Sequence, residues 1–324
     1  YAMSKLQVLH LSDLHLAGNR AYYERWRDYT NNLLSVYDPD ALEAIGEIVY
    51  RWGNDLDAIL ISGDIAVTGT EKDINRATEF FTTPFSTEEP WLNNKRKPTL
   101  KAFTKPIVIV PGNHDRFCNV AGWPGNLFYS YFSSYWTVGV GEIQCHLLPN
   151  KESPTLAIIC GDFSLDKISH SSSILLGSHF GQGKVYKHKL QKLIKETKRI
   201  TTSYPACAII WMIHFAPQFE KHYELKIQMQ LLDSKNLIEE AEKLGIEYIL
   251  CGHTHLHKDY RIGNNNKVRI YCAGTSTCIG SDIDTTIHLL NIEVENGRVV
   301  GFNPQSLTYD PDQQTFFLST ENEE

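Results

Sequence analysis

Eight residues of this chain are of types that bind metal ions or move protons, and each stands just beyond an apolar run. They are Asp13, His15, Asp64, Asn113, His114, His214, His253 and His255. Together they offer imidazoles, carboxylates and one amide, a nitrogen and oxygen donor set without sulfur. Such a set suits Mn, Fe or Zn and is poor for Cu(I) or an iron–sulfur cluster. It is too large for one tetrahedral ion. Two ions about 3.5–4 Å apart, sharing one carboxylate, would use it, and a paired centre activates water and clamps phosphoryl oxygens during in-line displacement.

The apolar runs are what must bring these groups together. Residues 107–110 (IVIV) read as a buried strand that ends in Pro111-Gly112 and delivers Asn113-His114-Asp115 at its tip. Residues 5–12 lead to Asp13, 57–62 to Gly63-Asp64, 206–213 to His214, and 246–251 to Gly252-His253-Thr254-His255. Asp13 and Asp64 stand 51 residues apart, and Asp64 and His114 stand 50 apart. Each interval fits one strand and one helical return. Parallel strands joined by such returns put their carboxyl ends along one sheet edge, where open α/β sheets place ligands.

The intervening stretches supply the returns. Asp38-Pro39-Asp40 has a cap residue and a proline at the first position of a helix reaching Gly53. Further helices are expected over 71–81, around 127–135 as a cap over the site, over 186–203 with a solvated lysine face, and over 234–244 with Ser234 as cap and Gly245 as stop. Strands are expected over 156–160, 268–272, 286–295 and 298–302, with Asn296-Gly297 as a hairpin turn and another hairpin near 310–312. Strands alternate with helices early and outnumber them later. The expected fold is α/β, a two-sheet β-sandwich flanked by helices. Residues 1–4 read as a tag remnant and the start, 5–304 as the main domain, and 305–324 as a C-terminal hairpin or tail. Insertions fall near 18–37, rich in Tyr and Trp, and near 82–98.

The net charge of −7 argues against a broad basic surface for nucleic acid. No apolar run reaches about 18 residues, so no membrane span is expected. No apolar leader precedes the first strand. Cys160, Cys207, Cys251 and Cys272 sit in apolar runs and read as buried reduced thiols of a cytoplasmic protein. Gly161-Asp162 follows a strand as the metal-type blocks do and reads as structural. So do His10, His146, His170, His179, His188, His222 and His288, with His257 at the rim of the site.

The blocks Asp13-x-His15, Gly63-Asp64, Gly112-Asn113-His114-Asp115, His214 and Gly252-His253-x-His255, in this order, resemble the calcineurin-like metallophosphoesterases. The resemblance implies a four-layer fold and a dinuclear centre of Mn or Fe, with Zn as a further option. It implies that Asp13, His15 and His255 hold one ion, that Asn113, His214 and His253 hold the other, and that Asp64 bridges them. It makes His114 the residue facing the substrate phosphate, with Asp64 and Asn113 beside it as catalytic residues. Asp115 would orient the turn. Protein Ser/Thr phosphatases of this superfamily carry Gly-Asp-x-x-Asp-Arg-Gly and Gly-Asn-His-Glu. Here Val67, Thr68 and Asp115 stand at the differing places. The motif wording is most similar to class III cyclic nucleotide phosphodiesterases, although His214 is followed by Phe215 rather than a second histidine. The expected activity is therefore hydrolysis of a small nucleotide-like phosphodiester. The alternatives are a DNA-processing metallonuclease, which the acidic balance and lack of heptads disfavour, and a non-catalytic binding module, which would have lost ligands.

Overall fold

The computed structural model describes residues 3–20, 36–83, 99–117, 125–139, 141–166, 181–218, 229–279, 283 and 285–319. Most of both expected insertions, with Tyr22, Tyr23, Trp26 and Tyr29, lies outside them, as do His170, His179 and His222. The strands are β1 (Ser4–Leu11), β2 (Ala58–Ile61), β3 (Ile107–Ile109), β4 (Ile143–Leu148), β5 (Leu156–Gly161), β6 (Gly183–Lys184) and β7 (Ala208–Ile213). They continue with β8 (Leu231–Leu232), β9 (Tyr248–Cys251), β10 (Lys258–Ile262), β11 (Val268–Cys272), β12 (Thr286–Glu295), β13 (Arg298–Asp310) and β14 (Thr315–Leu318). The helices are α1 (Pro39–Trp52), α2 (Glu71–Thr82), α3 (Asn113–Arg116), α4 (Asn126–Tyr131), α5 (Lys187–Ser203) and α6 (Ser234–Leu244).

Two six-stranded sheets form the body, in the orders β14-β13-β12-β1-β2-β3 and β10-β11-β9-β7-β5-β4. In the first, β1, β2 and β3 are parallel, with Leu11 beside Ile61 and Ile61 beside Ile109. That register fulfils the expectation from spacing: α1 and α2 are the returns, and the strand tips share one edge. In the second, β5, β7 and β9 are parallel in the same way.

Strand side chains alternate between faces, and the alternation sorts the core. Ile158, Cys160, Ile210, Met212 and Leu250 join Val8, Leu60 and Leu290 in one cluster between the sheets. Their neighbours Ile159, Trp211, Ile213, Ile249 and Cys251 pack on Leu193 and Ile200 of α5 and on Leu237 and Ala241 of α6. Helices therefore cover the outer face of the second sheet. The chain is mixed α/β with two large sheets flanked by helices, as expected.

Local chemistry explains most element ends. The Asp38 side chain accepts from the Asp40 and Ala41 amides and starts α1, with Pro39 in its first turn. Four expectations need correction. Ser234 does not cap α6; the cap position is Asp233, in the left-handed region at φ 60° and without a side-chain cap bond. The helix expected over 127–135 ends at Tyr131, and its Phe128 and Phe132 are core residues stacked 4.8 Å apart, with Phe81 of α2 at 5.2 Å from Phe132. Burial on several sides is why that stretch shows no clean period. The lysine face of α5 is solvated except at Lys189, which is buried and pairs with Asp166 at 2.8 Å. Finally, β13 runs on past 302 to Asp310, because the ten-residue β12 continues to pair with it. Pro304 is tolerated there because β14 reaches only Leu307–Asp310, so no ladder bond is lost on that side. No described helix is long and apolar enough to cross a membrane.

Candidate metal centre

The structure brings all eight sequence-derived residues to one place, where the tips of the two sheets meet. Asp13 and His15 follow β1, Asp64 follows β2, and Asn113 and His114 open α3 after β3. His214 follows β7, and His253 and His255 follow β9. Hydrogen bonds across the site tie the two sheets together. The His253 amide donates to Asp13 Oδ2 at 2.9 Å, and His214 Nδ1 donates to the Ser62 carbonyl at 2.7 Å.

Five of these residues adopt a backbone that side chains rarely accept. Asp13 (φ 51°), His15 (45°), Asp64 (52°), His253 (74°) and His255 (57°) are all left-handed. Each such residue costs of order 1–3 kcal/mol and persists only where its surroundings over-determine it. Five at one spot mark a site held against local preference. Glycines make the approach possible. A Cβ on Gly112 would collide with the Asp64 carboxylate, and Gly63, at φ 105°, has no room for one against the His214 ring.

The donor atoms converge in three overlapping triads, each with atoms within 4.8 Å of one another: Asp13, His15 and His255; Asp64, His214 and His253; and His15, Asp64 and His114. His15 Nε2 and His255 Nε2 face each other at 2.9 Å, with Asp13 Oδ1 at 3.8 and 3.5 Å from them. His214 Nε2 lies 3.1 Å from Asp64 Oδ2, 3.1 Å from Asn113 Oδ1 and 3.2 Å from His253 Nδ1. Ring nitrogens so placed need a proton or a cation between them. Asp13 Oδ1, an acceptor, is buried without a hydrogen-bond partner, which buried polar atoms seldom are. On both counts the residues fit a pair of divalent cations.

Electrostatics agree. Burial alone would raise the Asp13 pKa, but the nearby His255 imidazole outweighs it and brings it to about 2. Burial opposes the charge of Asp64 as well, yet His214 and His114 hold it well below the carboxylate range. Burial pushes His214 down, and the Asp64 carboxylate overcomes it and raises the imidazole to about 9. His253 is lowered by burial and by His214 to about 3. The metal-free cluster thus keeps two carboxylates charged and holds a proton at His214. A cation entering there displaces that proton, so loading releases protons.

The turn carrying Asn113 and His114 is built by its neighbours. Asp115 accepts from the Ala66 amide (2.8 Å) and the Gly112 amide (2.9 Å), the orienting role expected of it. The Asp64 carboxylate accepts from the His114 amide at 2.8 Å. Arg116 ends α3 in a fully buried ion pair with Asp162, the residue at the tip of β5 that reads as structural in the sequence. His10 and His288 are buried away from the cluster and bonded, to Ser62 Oγ at 2.9 Å and to the Tyr271 hydroxyl at 2.8 Å. His257 Nδ1 donates to the Cys272 carbonyl at 3.0 Å. Sequence reasoning missed one group, the hydroxyls of Thr275, Ser276 and Thr277. Three successive small polar residues after a strand are the only local signal for them.

The family model described as calcineurin-like phosphoesterase matches residues 6–257, a span that holds all eight residues. The chain belongs to the calcineurin-like phosphoesterases. It is thereby a metal-dependent phosphoester hydrolase, and the family together with the three triads implies a dinuclear divalent metal centre. Its fold is similar to that of a dimetal phosphatase from Danio rerio, at 10% identity and TM-score 0.57, over 94% of this chain and 99% of that one. It is also similar to purple acid phosphatase PPD1 from yellow lupin (Lupinus luteus), at 13% identity and TM-score 0.52, over 96% of this chain but 55% of that one. At such identities the likeness is one of fold. No curated protein matches the chain.

Within this calcineurin-like phosphoesterase, Val67 and Thr68 occupy the places of an acid and an arginine in the protein phosphatases. Thr68 turns into the fold, where its hydroxyl donates to Asp73 at 2.5 Å, and Asp73 also accepts from Thr70 and from the Gly18 amide. Val67 offers only its carbonyl, to which His114 Nδ1 donates at 2.8 Å. That bond leaves His114 Nε2 on the side of Asp64, 3.9 Å from Oδ2.

Proposed function

We propose that this chain is a phosphodiesterase acting on a small nucleotide-like substrate, such as a cyclic nucleotide, in the cytoplasm. Asp13, His15 and His255 would hold one ion, Asn113, His214 and His253 the other, with Asp64 as the ligand they would share. The oxygen and nitrogen donors favour Mn or Fe, with Zn as a further option. When bound, the pair of ions supplies positive charge that polarises a phosphoryl group and activates water for in-line attack. His114 Nε2 would face the reacting phosphate; neutral at rest, it would first take a proton from solvent and then pass that proton to the leaving oxygen. Asn113 and Asp64 would act on the phosphoryl oxygens through the ions they hold.

The observation that carries the diester reading is the partner of His114. A carboxylate behind an imidazole favours its charged form, which suits the doubly charged monoester. Here Nδ1 rests on the neutral Val67 carbonyl, and burial lowers the His114 pKa. A neutral imidazole matches a diester, which carries a single charge. The net charge of −7 supports a small substrate over nucleic acid. Six free cysteines among the described residues, five of them buried, support a reducing compartment.

The test is a turnover panel of cyclic nucleotides, a chromogenic diester, a chromogenic monoester and DNA, in Mn(II). Diesters of small size are expected to turn over fastest. A preference for the monoester would reject the diester assignment, and faster cutting of DNA would move the chain to the nuclease reading. His114→Ala should lower kcat by roughly 10²–10⁴-fold while keeping its metal. An unchanged rate in that variant would remove His114 from the mechanism.

A further inference from the structure

The turn that carries Asp13 and His15 is not held by its own strand. On one side its amides bond the β2 tip, Asp13 N–H to the Gly63 carbonyl and His15 N–H to the Asp64 carbonyl, both at 3.0 Å; on the other its main chain is gripped from a segment more than 260 residues away in sequence. The Ser12 amide donates to Ser276 Oγ (2.9 Å), Thr275 Oγ1 donates to the Asp13 carbonyl (2.7 Å), and Thr277 Oγ1 donates to the Leu14 carbonyl (2.7 Å). The Ser276 amide returns a bond to the Ser12 carbonyl at 2.9 Å. Three successive side-chain hydroxyls thus take three successive residues of the turn. All three are fully buried. Thr275 is held further, since its oxygen also accepts from the Cys278 amide at 3.2 Å and from the Thr277 amide at 3.5 Å.

The geometry assigns Thr275, Ser276 and Thr277 as positioning residues for one of the two ions. They hold Ser12, Asp13 and Leu14 from behind, and so aim Asp13 Oδ1 directly, and His15 Nε2 through Leu14, at the point His255 also faces. They touch neither Asp64, Asn113 nor His214. This rests on the metal-binding reading above and adds an asymmetry to it: losing the hydroxyls impairs the Asp13–His15–His255 position and spares the other. Groups that orient metal ligands from behind are worth about 10–100-fold in metal affinity.

The experiment is calorimetric titration of Mn(II) into the full chain after removal of metal by chelator. Wild type binding two ions supports the metal reading itself; no binding by wild type would sink that reading and the proposal with it. The double variant Thr275→Val, Thr277→Val keeps side-chain shape and deletes both hydroxyls. It should bind one ion as wild type does and the other about 10–100-fold more weakly. Thr275→Ser with Thr277→Ser restores the hydroxyls and should restore the affinity. Thr285→Val is the control, because Thr285 Oγ1 bonds the Cys278 carbonyl in the same region without touching the turn. It should leave both ions in place. If the double variant does not fold, Thr277→Val alone reads the same asymmetry. The proposal is overturned if the Val variants bind both ions like wild type, if they weaken both equally, or if Thr285→Val has the same effect.

Discussion

Asp64→Ala is expected to lose both ions and all measurable turnover together. Asp64 is buried at the junction of two triads, with Oδ2 at 3.1 Å from His214 Nε2 and at 3.9 Å from His114 Nε2. Its other oxygen, Oδ1, accepts the amide of His114. Among the described residues, no second carboxylate stands between the two halves of the site. A bound ion pair supplies several kcal/mol of charge stabilisation, so its loss lowers the rate by about 10³-fold or more. Asp64→Asn keeps the shape and the acceptor for the His114 amide but removes the charge, and it should fail in the same way. Neither variant should unfold. Once the carboxylate is gone, burial leaves His214 neutral, and no charge is stranded. Metal content by elemental analysis, beside the rate on a chromogenic diester, decides the matter. A variant that retains two ions would end the view of Asp64 as the shared ligand.

The largest effect on stability is expected from Asp162→Ala. Arg116 Nη1 lies 2.9 and 3.1 Å from the two Asp162 oxygens, and neither side chain reaches solvent. Asp162 also accepts from the Tyr129 hydroxyl at 2.5 Å and from the Gly141 and Ser164 amides at 3.0 Å each. Removing the acid strands a buried guanidinium and orphans three donors. Breaking one side of a buried pair costs about 3–5 kcal/mol, a large part of the 5–15 kcal/mol typical of a folded domain. Urea denaturation should show the loss as a lower midpoint at unchanged slope. Replacing both partners, as Arg116→Leu with Asp162→Leu, should cost less than either single change. Acid gives an independent reading. Burial would raise the Asp162 pKa, but Arg116 and then Lys189 outweigh it and hold it below its ordinary value. A depressed folded pKa stabilises above the unfolded value of about 4 and loses that stability as pH falls through the folded one. Wild type should therefore weaken below about pH 4 more steeply than the double Leu variant, and equal acid profiles would exclude the pair as a stabiliser.

The two predictions divide the chain along a useful line. Asp64 was legible because a buried apolar strand, a glycine and a carboxylate follow one another in the sequence. Asp162 follows a strand and a glycine in the same way, yet it serves structure. Both positions show a Gly-Asp pair at the end of an apolar strand, and what faces them decides their roles. Asp64 looks onto imidazoles, whereas Asp162 looks onto a guanidinium. The helix expected as a cap over the site shows the same limit. Its aromatic residues are placed by Phe81 across the core, a contact no periodicity records.

The sequence by itself determined the donor set, its order along the chain, and the strand tips that carry it. Those features are local: an apolar run sets a strand, a glycine ends it, and returns of about fifty residues keep the strands parallel. The tertiary structure alone decided which donors face each other, which residues take left-handed backbone, and what holds them there. Pairing of β1 with β12 brings Thr275 beside Asp13 from 262 residues away. Such a contact arises from the closing of the sheet, so no window of neighbouring residues encodes it.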